Sequence, residues 1–444
     1  MAVIGASEIC AVGHHVDRIL DVRHGTQTKR IASDAVHVSH SWDDRAVTPA
    51  APRSEPNEAA DRRGGGGEGL AVFLIALGSA WSVGNVGAVV GDLSGDFDIS
   101  LATIGLLSGT LLLGFSVPGT VLTPLIAERL TIVRTMILGA ALCTIGNVIF
   151  AVTPGFAGLV IGRAVAGFGV GIAVVAGPVF ARATGGVERV GLFGGAVQLG
   201  IAGGLGIGAI LGDLDVDWRL TFLLSAGVAA SAIPFLIGRT GPSYVRQAGG
   251  RFLKLALRSS RIWRLAALFI AIFSVPLTLG SWLVHYLSVD NGLAVGIAGV
   301  LSFVMFGVSA AAREEGGKLA QRGVSPVLLV GVAPLLAAAG LAILALDDSL
   351  GFALVAVVAA GIGFAVPYGI GIVQAQRLYP TEPTEPVALV SLVGTALPVP
   401  LVPVIGSLLD DGYGTEVFLT LAAVVALAGI LNLRPVEGSL EPGA

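Results

Sequence analysis

The chain has 444 residues and a formal net charge of −4; hydrophobic residues make up 54% of it, charged residues 13%, and the mean hydropathy is +0.86. That balance excludes a soluble globular domain, and nothing in it points to a nucleic-acid partner; the bilayer is the solvent. Glycine supplies 64 positions, about twice its usual share of ~7%, which suits membrane helices that pack through small residues. Cys10 and Cys143 alone offer neither a disulfide framework nor a redox motif.

Residues 1–69 are polar and carry five of the six histidines, His14, His15, His24, His37 and His40. The stretch lacks the apolar core of a signal peptide, and its histidines match no metal-ligand spacing. A disordered cytoplasmic tail is expected, with no metal and no cofactor.

From Leu70 onward, apolar segments of about 20 residues recur, each long enough to cross a ~30 Å hydrocarbon core. Twelve spans are predicted, over 70–91, 100–127, 132–153, 156–180, 190–212, 219–238, 264–287, 292–312, 325–346, 350–373, 386–408 and 415–433. Between the sixth and seventh lies an acid-free segment with seven basic residues from Arg239 to Arg264. Of the eighteen Lys and Arg after position 69, sixteen fall on the side this connector shares with both termini, and every Asp falls on the other. A basic excess marks the cytoplasmic face, so both termini of a multi-pass plasma (inner) membrane protein are expected there. Arg251, Lys254, Arg258 and Arg261 at helical spacing, with Phe252, Leu255, Ile262 and Trp263, fit either an interfacial helix or a solvated basic loop.

The two halves repeat at an offset of 193 to 194 residues: Glu128-Arg129 aligns with Gln321-Arg322, Gly167 and Gly169 with Gly361 and Gly363, Gly200 with Gly394, and Gly212 with Gly406. Such a repeat implies two six-helix bundles related by an axis along the membrane normal, with a cavity between them and a rocking motion about it.

After spans two and eight stand Pro124-Leu-Ile-Ala-Glu128-Arg129 and Gly317-Lys-Leu-Ala-Gln321-Arg322. Both resemble the G-x-L-A-D-R loop of the major facilitator superfamily, and the resemblance runs from Leu70 to about Arg434. It implies a charged latch that closes the cytoplasmic side; Gln321 brings no charge to it, and the positive-inside rule alone also accounts for the arginines. Span four carries Arg163-Ala-Val-Ala-Gly167-Phe-Gly169-Val-Gly171, similar to the family's R-x-x-x-G-x-G pattern, with Arg163, Gly167 and Gly171 on one helix face. The resemblance implies that Arg163 couples protons or binds an anionic group. The structural alternative is that it bonds to the backbone carbonyls of a neighbouring helix. Gly195, Gly204, Gly208 and Gly212 in span five stand at spacings similar to the family's antiporter pattern, with Ala209 in place of its proline and Asp213 in place of its last glycine. Asp217-Trp218-Arg219 resembles the family's junction before span six, read as a structural helix entrance.

Two polar stripes occupy equivalent places in the repeat: Trp81, Asn85 and Asp92 on span one, and Ser274, Thr278, Ser281, Trp282 and His285 on span seven. They are expected to face the cavity, and Asp92 with His285 forms a candidate proton-sensitive gate at the outer ends. Gln198, Tyr368 and Gln374 are further cavity candidates, with ordinary helix–helix bonding as the alternative. No Asp or Glu falls in the middle of a span, which weighs against a pump for cationic compounds. No catalytic set is recognisable, so an enzyme is not expected.

The expected fold is an all-α polytopic membrane protein with twelve transmembrane helices in two pseudo-symmetric six-helix bundles. Its parts are a tail over 1–69, bundles over 70–238 and 264–433 joined by the connector 239–263, and a short tail over 434–444. The expected function is secondary active transport by alternating access, as proton-linked efflux of small organic compounds. The alternative is an uptake permease or facilitator for a small organic anion or neutral metabolite. Expected partners are a small-molecule substrate, the bilayer and protons, around a monomer.

Overall fold

A computed structural model describes residues 58–239, 256, 258–380, 384–434 and 436. Residues 1–57 of the expected tail with its five histidines, most of the basic connector with its candidate interfacial helix, and nearly all of 434–444 lie outside the described residues; residues 58–69, expected to be disordered, are instead helical.

Twelve helices span the chain: α1 Gly67–Ala88, α2 Leu101–Leu130, α3 Ile132–Val152, α4 Phe156–Gly186, α5 Glu188–Asp213, α6 Arg219–Leu236, α7 Ser260–Val289, α8 Val295–Gln321, α9 Leu328–Leu346, α10 Leu350–Leu378, α11 Glu385–Asp410 and α12 Gly414–Leu431. Eleven are long and apolar enough by themselves to cross a bilayer. Among the described residues α2 meets that test only together with the short helix Val90–Phe97, bent 116° from it, which gives eleven membrane helices, or twelve if the bent pair counts as one span. Large apolar side chains such as Leu106, Ile145, Ile161, Phe352 and Leu427 are exposed on the outside of these helices. In water this surface would be a liability; against lipid tails it costs nothing. The chain is a multi-pass membrane protein.

Most ends agree with the sequence reading to within a few residues. The main departure is α8, expected to stop at 312 but helical to Gln321. Arg313, placed at a loop boundary by its charge, therefore lies on the helix. On the same turns Lys318 pairs with two carboxylates, its Nζ 2.8 Å from Glu314 and 2.7 Å from Glu315. Between α4 and α5 the chain reverses through Gly185 and Gly186, and Gly186 has φ +63° with ψ −149°, a conformation open only to glycine.

The repeat reappears as repeated backbone contacts. In the first half Gly167 abuts Leu111, Gly146 abuts Ala166, and Gly169 abuts Cys143. In the second half Gly361 abuts Met305, Gly340 abuts Ala360, and Gly363 abuts Ala337. Each partner is displaced by the same offset as its glycine, so α2–α4 and α3–α4 pack as α8–α10 and α9–α10 do. Two six-helix bundles related by this repeat make up the fold.

Candidate functional site

The bundles meet along three seams. Gly87 of α1 lies against the carbonyls of Gly280 and Ser281 in α7, so close that a β-carbon has no room. Gly105 and Gly109 of α2 lie on Val399, Val402 and Pro403 of α11, and Gly299 of α8 on Leu205, Gly206 and Ala209 of α5. All three seams involve the acidic ends of the helices.

Toward the basic ends the contacts thin out. Gly191, Gly195, Gly317 and Gly369 have open space where a β-carbon would stand. The lower part of α10, Pro367–Leu378, packs on α7, α8, α9, α11 and the upper part of its own helix, all within the second bundle.

The acidic seam has a polar clasp. The α2 N-terminus presents four backbone N–H groups with no partner inside the helix. Ser100 Oγ accepts from Thr103 N–H at 3.2 Å and the Ser100 carbonyl from Ile104 N–H at 3.0 Å. Asp410, from α11 in the other bundle, accepts from Leu101 N–H at 3.0 Å and Ala102 N–H at 3.1 Å. A carboxylate there also complements the positive end of the helix dipole. Asp410 is the charged group that acts on half-buried His285, whereas Asp92 faces Asp96 and Asp217. No hydrogen bond or ion pair joins the expected Asp92–His285 pair among the described residues. The repeat made Asp92 and His285 equivalent, but equivalence under a two-fold axis does not bring two side chains into contact.

Arg163 lies 1% exposed inside the first bundle. Its Nη1 donates to the Ser82 carbonyl at 2.9 Å and to Asn85 Oδ1 at 3.0 Å, and its guanidinium carbon stands 5.8 Å from the centre of the Phe150 ring. Asn85 Nδ2 donates to Asn147 Oδ1 at 3.2 Å, and Asn147 Nδ2 donates to Ser82 Oγ at 2.7 Å. Ser82 and Ser225 hydroxyls pair at 3.2 Å. This network links α1, α3, α4 and α6, and its acceptors include the backbone carbonyl foreseen as the structural alternative for Arg163. Trp81 is also buried, flat against Gly203 of α5. Gly167 and Gly171 press on α2 and Gly169 on α3; Gly204 and Gly208 press on α1, while Gly212 stands looser near Asp92.

Ser274 and Trp282 of the α7 stripe bond within their own bundle, to α11. Pro398 has no N–H, which leaves the Gly394 carbonyl of α11 without its helical donor. Ser274 Oγ donates to that carbonyl at 2.6 Å, and Trp282 Nε1 to the Val402 carbonyl at 3.0 Å. Thr278 Oγ1 donates to the Ser274 carbonyl of its own helix at 2.8 Å, and Ser281 is 4% exposed. At the basic ends, Glu128, Arg129, Gln321 and Arg322 are exposed, and Glu128 and Arg129 form no ion pair among the described residues. Glu68, not foreseen in this role, ties the first bundle together there, 3.0 Å from Arg189 and 3.7 Å from Arg239.

The residue that sequence reasoning missed is Arg313. Its guanidinium carbon lies 4.1 Å from the centre of the Tyr368 ring and 5.9 Å from that of Phe273, and its Cδ points at Gly194 of α5 across the seam. Phe273 sits on a π-helical turn, Ile270–Ser274, just before Pro276, whose missing N–H favours the wider turn. Gln198 is buried on α5, one turn beyond Gly194.

The Major Facilitator Superfamily sequence profile matches residues 72–397. No curated protein shows a significant match in sequence. Among solved structures, a bacterial homolog of the human lysosomal transporter Spinster, inward-facing and unoccupied, is similar at TM-score 0.66 and 17% identity over 86% of this chain and 97% of that one. The inward-open xylose transporter XylE from E. coli gives 0.65 and 15% over 82% and 94%. The nucleoside transporter NupG gives 0.66 and 12% over 83% and 99%. The fold and the profile agree: this chain belongs to the Major Facilitator Superfamily and is a transporter of the secondary kind, not an enzyme.

Proposed function

We propose that the protein exports small organic compounds by alternating access, with proton entry as the counterflow, and that the structure is its inward-facing state. The observation that carries this reading is the asymmetry of the seams. The acidic ends are joined through Gly87–Gly280 and Asp410–Leu101, while the lower half of α10 keeps to its own bundle. Residues 70–238 and 264–433 act as the two rocking bodies. The basic ends and both termini face the cytoplasm of the plasma membrane, in keeping with the charge bias. The resemblance of the α5 glycines to the antiporter pattern supports export, and tight packing of Gly204 and Gly208 on α1 gives them a physical role.

A second reading, entry of a small organic anion, is favoured by one observation: Arg313 lies in a span with no carboxylate within ion-pair distance among the described residues. Accumulation of labelled solutes in cells expressing the chain, with and without a proton uncoupler, separates the two. Export predicts low accumulation that rises with the uncoupler. Accumulation above the control that the uncoupler abolishes would instead mean proton-driven entry, and its survival up to equilibration a facilitator.

A further inference from the structure

We propose that Arg313, Tyr368 and Phe273 form a binding site for the carboxylate of a small organic anion with a flat apolar body. This deepens the transport reading and rests on it. An arginine within a membrane span is held by a carboxylate, by backbone carbonyls or by a ligand. Arg163 is held through Nη1 by the carbonyl of Ser82 and by Asn85, although its Nε and Nη2 are buried without a partner. Arg313 has no hydrogen bond or ion pair among the described residues, and its Nε is likewise buried without a partner. Glu314 and Glu315, adjacent in sequence, are engaged by Lys318 instead.

What surrounds Arg313 is aromatic. The Tyr368 ring, 4.1 Å from the guanidinium carbon, covers the cation by a cation–π contact. Phe273 approaches to 5.9 Å, and behind it Phe269 stacks at 5.6 Å between ring centres. These rings shield the charge but accept no strong hydrogen bond, so the in-plane donors of the fork stay available. A planar carboxylate matches that fork with two parallel bonds. The half-buried Phe273 ring beside it, backed by the fully buried Phe269, offers surface to an apolar body. Across the seam, Gly194 and Gly195 of α5 leave room, the nearest atom to a β-carbon at Gly194 being Arg313 Cδ at 3.9 Å. The site therefore lies at the seam between α8 and α5, where Arg313 approaches Gly194 of the other bundle. Position 119, the counterpart of Arg313 in the repeat, is glycine, so the site is a single one.

The test uses the full chain purified in neutral detergent, with benzoate and 1-naphthoate as probes and their primary amides as isosteric neutral controls. Thermal stabilisation by the acids, at least tenfold weaker with the amides, is expected for the wild type, a loss of about 1.4 kcal/mol or more. Arg313→Gln should abolish the preference and Arg313→Lys should weaken it, because a point charge cannot make the forked pair. The acid-against-amide comparison in the wild type needs no variant and stands even if Arg313→Gln misfolds. Equal response to acid and amide, no response to any acid, or full retention in Arg313→Gln would each overturn the site. Stabilisation by phosphatidylglycerol with indifference to the acids would overturn it too, assigning Arg313 to lipid. Flux of neutral solutes in liposomes without acid binding would sink this site and leave transport standing; acid binding without any flux would do the reverse.

Discussion

Asp410 of α11 holds the first turn of α2, accepting a hydrogen bond from Leu101 N–H at 3.0 Å, across the seam between the bundles. With the second bond from Ala102 N–H, one carboxylate clasps a helix of the opposite bundle at its positive end. Opening the acidic side requires both bonds to break.

Asp410→Ala should therefore favour the outward-open state. The clasp is solvent-exposed, so a shift of about 1–2 kcal/mol, or fivefold to thirtyfold in population, is expected. An impermeant maleimide added from the acidic side to a Ser281→Cys reporter, with the native cysteines replaced, should label faster by that factor. Equal labelling rates would remove Asp410 from the gate.

Gly87 makes the complementary prediction. Gly87→Val forces a side chain into the Gly280 carbonyl, and overpacking of this kind costs about 1–3 kcal/mol. Since the closest clashes are with the α7 backbone, and the remaining one is with the end of the flexible Leu205 side chain at 3.1 Å, the substitution should raise labelling of the same reporter and slow transport, with the fold retained. Slower transport with no change in labelling would place its effect elsewhere.

For Arg163 the structure separates two roles. Removing it leaves Asn85 Oδ1 and the Ser82 carbonyl buried with one partner fewer, and each buried group left short of a partner costs about 1–3 kcal/mol. Arg163→Ala should thus lower thermal stability markedly, followed by the appearance of the Cys143 thiol, which is 0% exposed in the fold. A variant of wild-type stability that has lost only transport would make Arg163 a substrate or coupling residue instead.

The α7 stripe can be judged by a split between stability and affinity. Ser274→Ala leaves the Gly394 carbonyl without a donor, which costs about 1–3 kcal/mol. Melting temperature should fall while the KM for any transported solute holds. A changed KM at unchanged stability would return Ser274 to the substrate pathway.

Much of this fold was legible in the chain because a bilayer imposes one-dimensional rules. Apolar length sets the spans, basic residues mark one face, and the offset between Gly167 and Gly361 exposes the repeat. Side-chain direction obeys no such rule. Ser274, Thr278 and Trp282 form a polar stripe whether they face a cavity or a neighbouring helix. Only the position of Pro398, one turn beyond Gly394 on α11, explains why Ser274 turns inward. Arg313 was hidden for the opposite reason: with Glu314, Glu315 and Lys318 beside it, it reads as the charged end of a helix.

The sequence by itself determined that the chain crosses a membrane about twelve times, which end of each span is basic, and that two halves share one packing plan. These follow from local composition and from spacing along the chain. Tertiary structure alone decided that Asp410 clasps the first turn of α2, that Arg163 is held within the first bundle, and that Arg313 meets Tyr368 and Phe273. Each of those contacts joins residues tens to hundreds of positions apart, and its distance depends on how whole helices tilt and turn against one another.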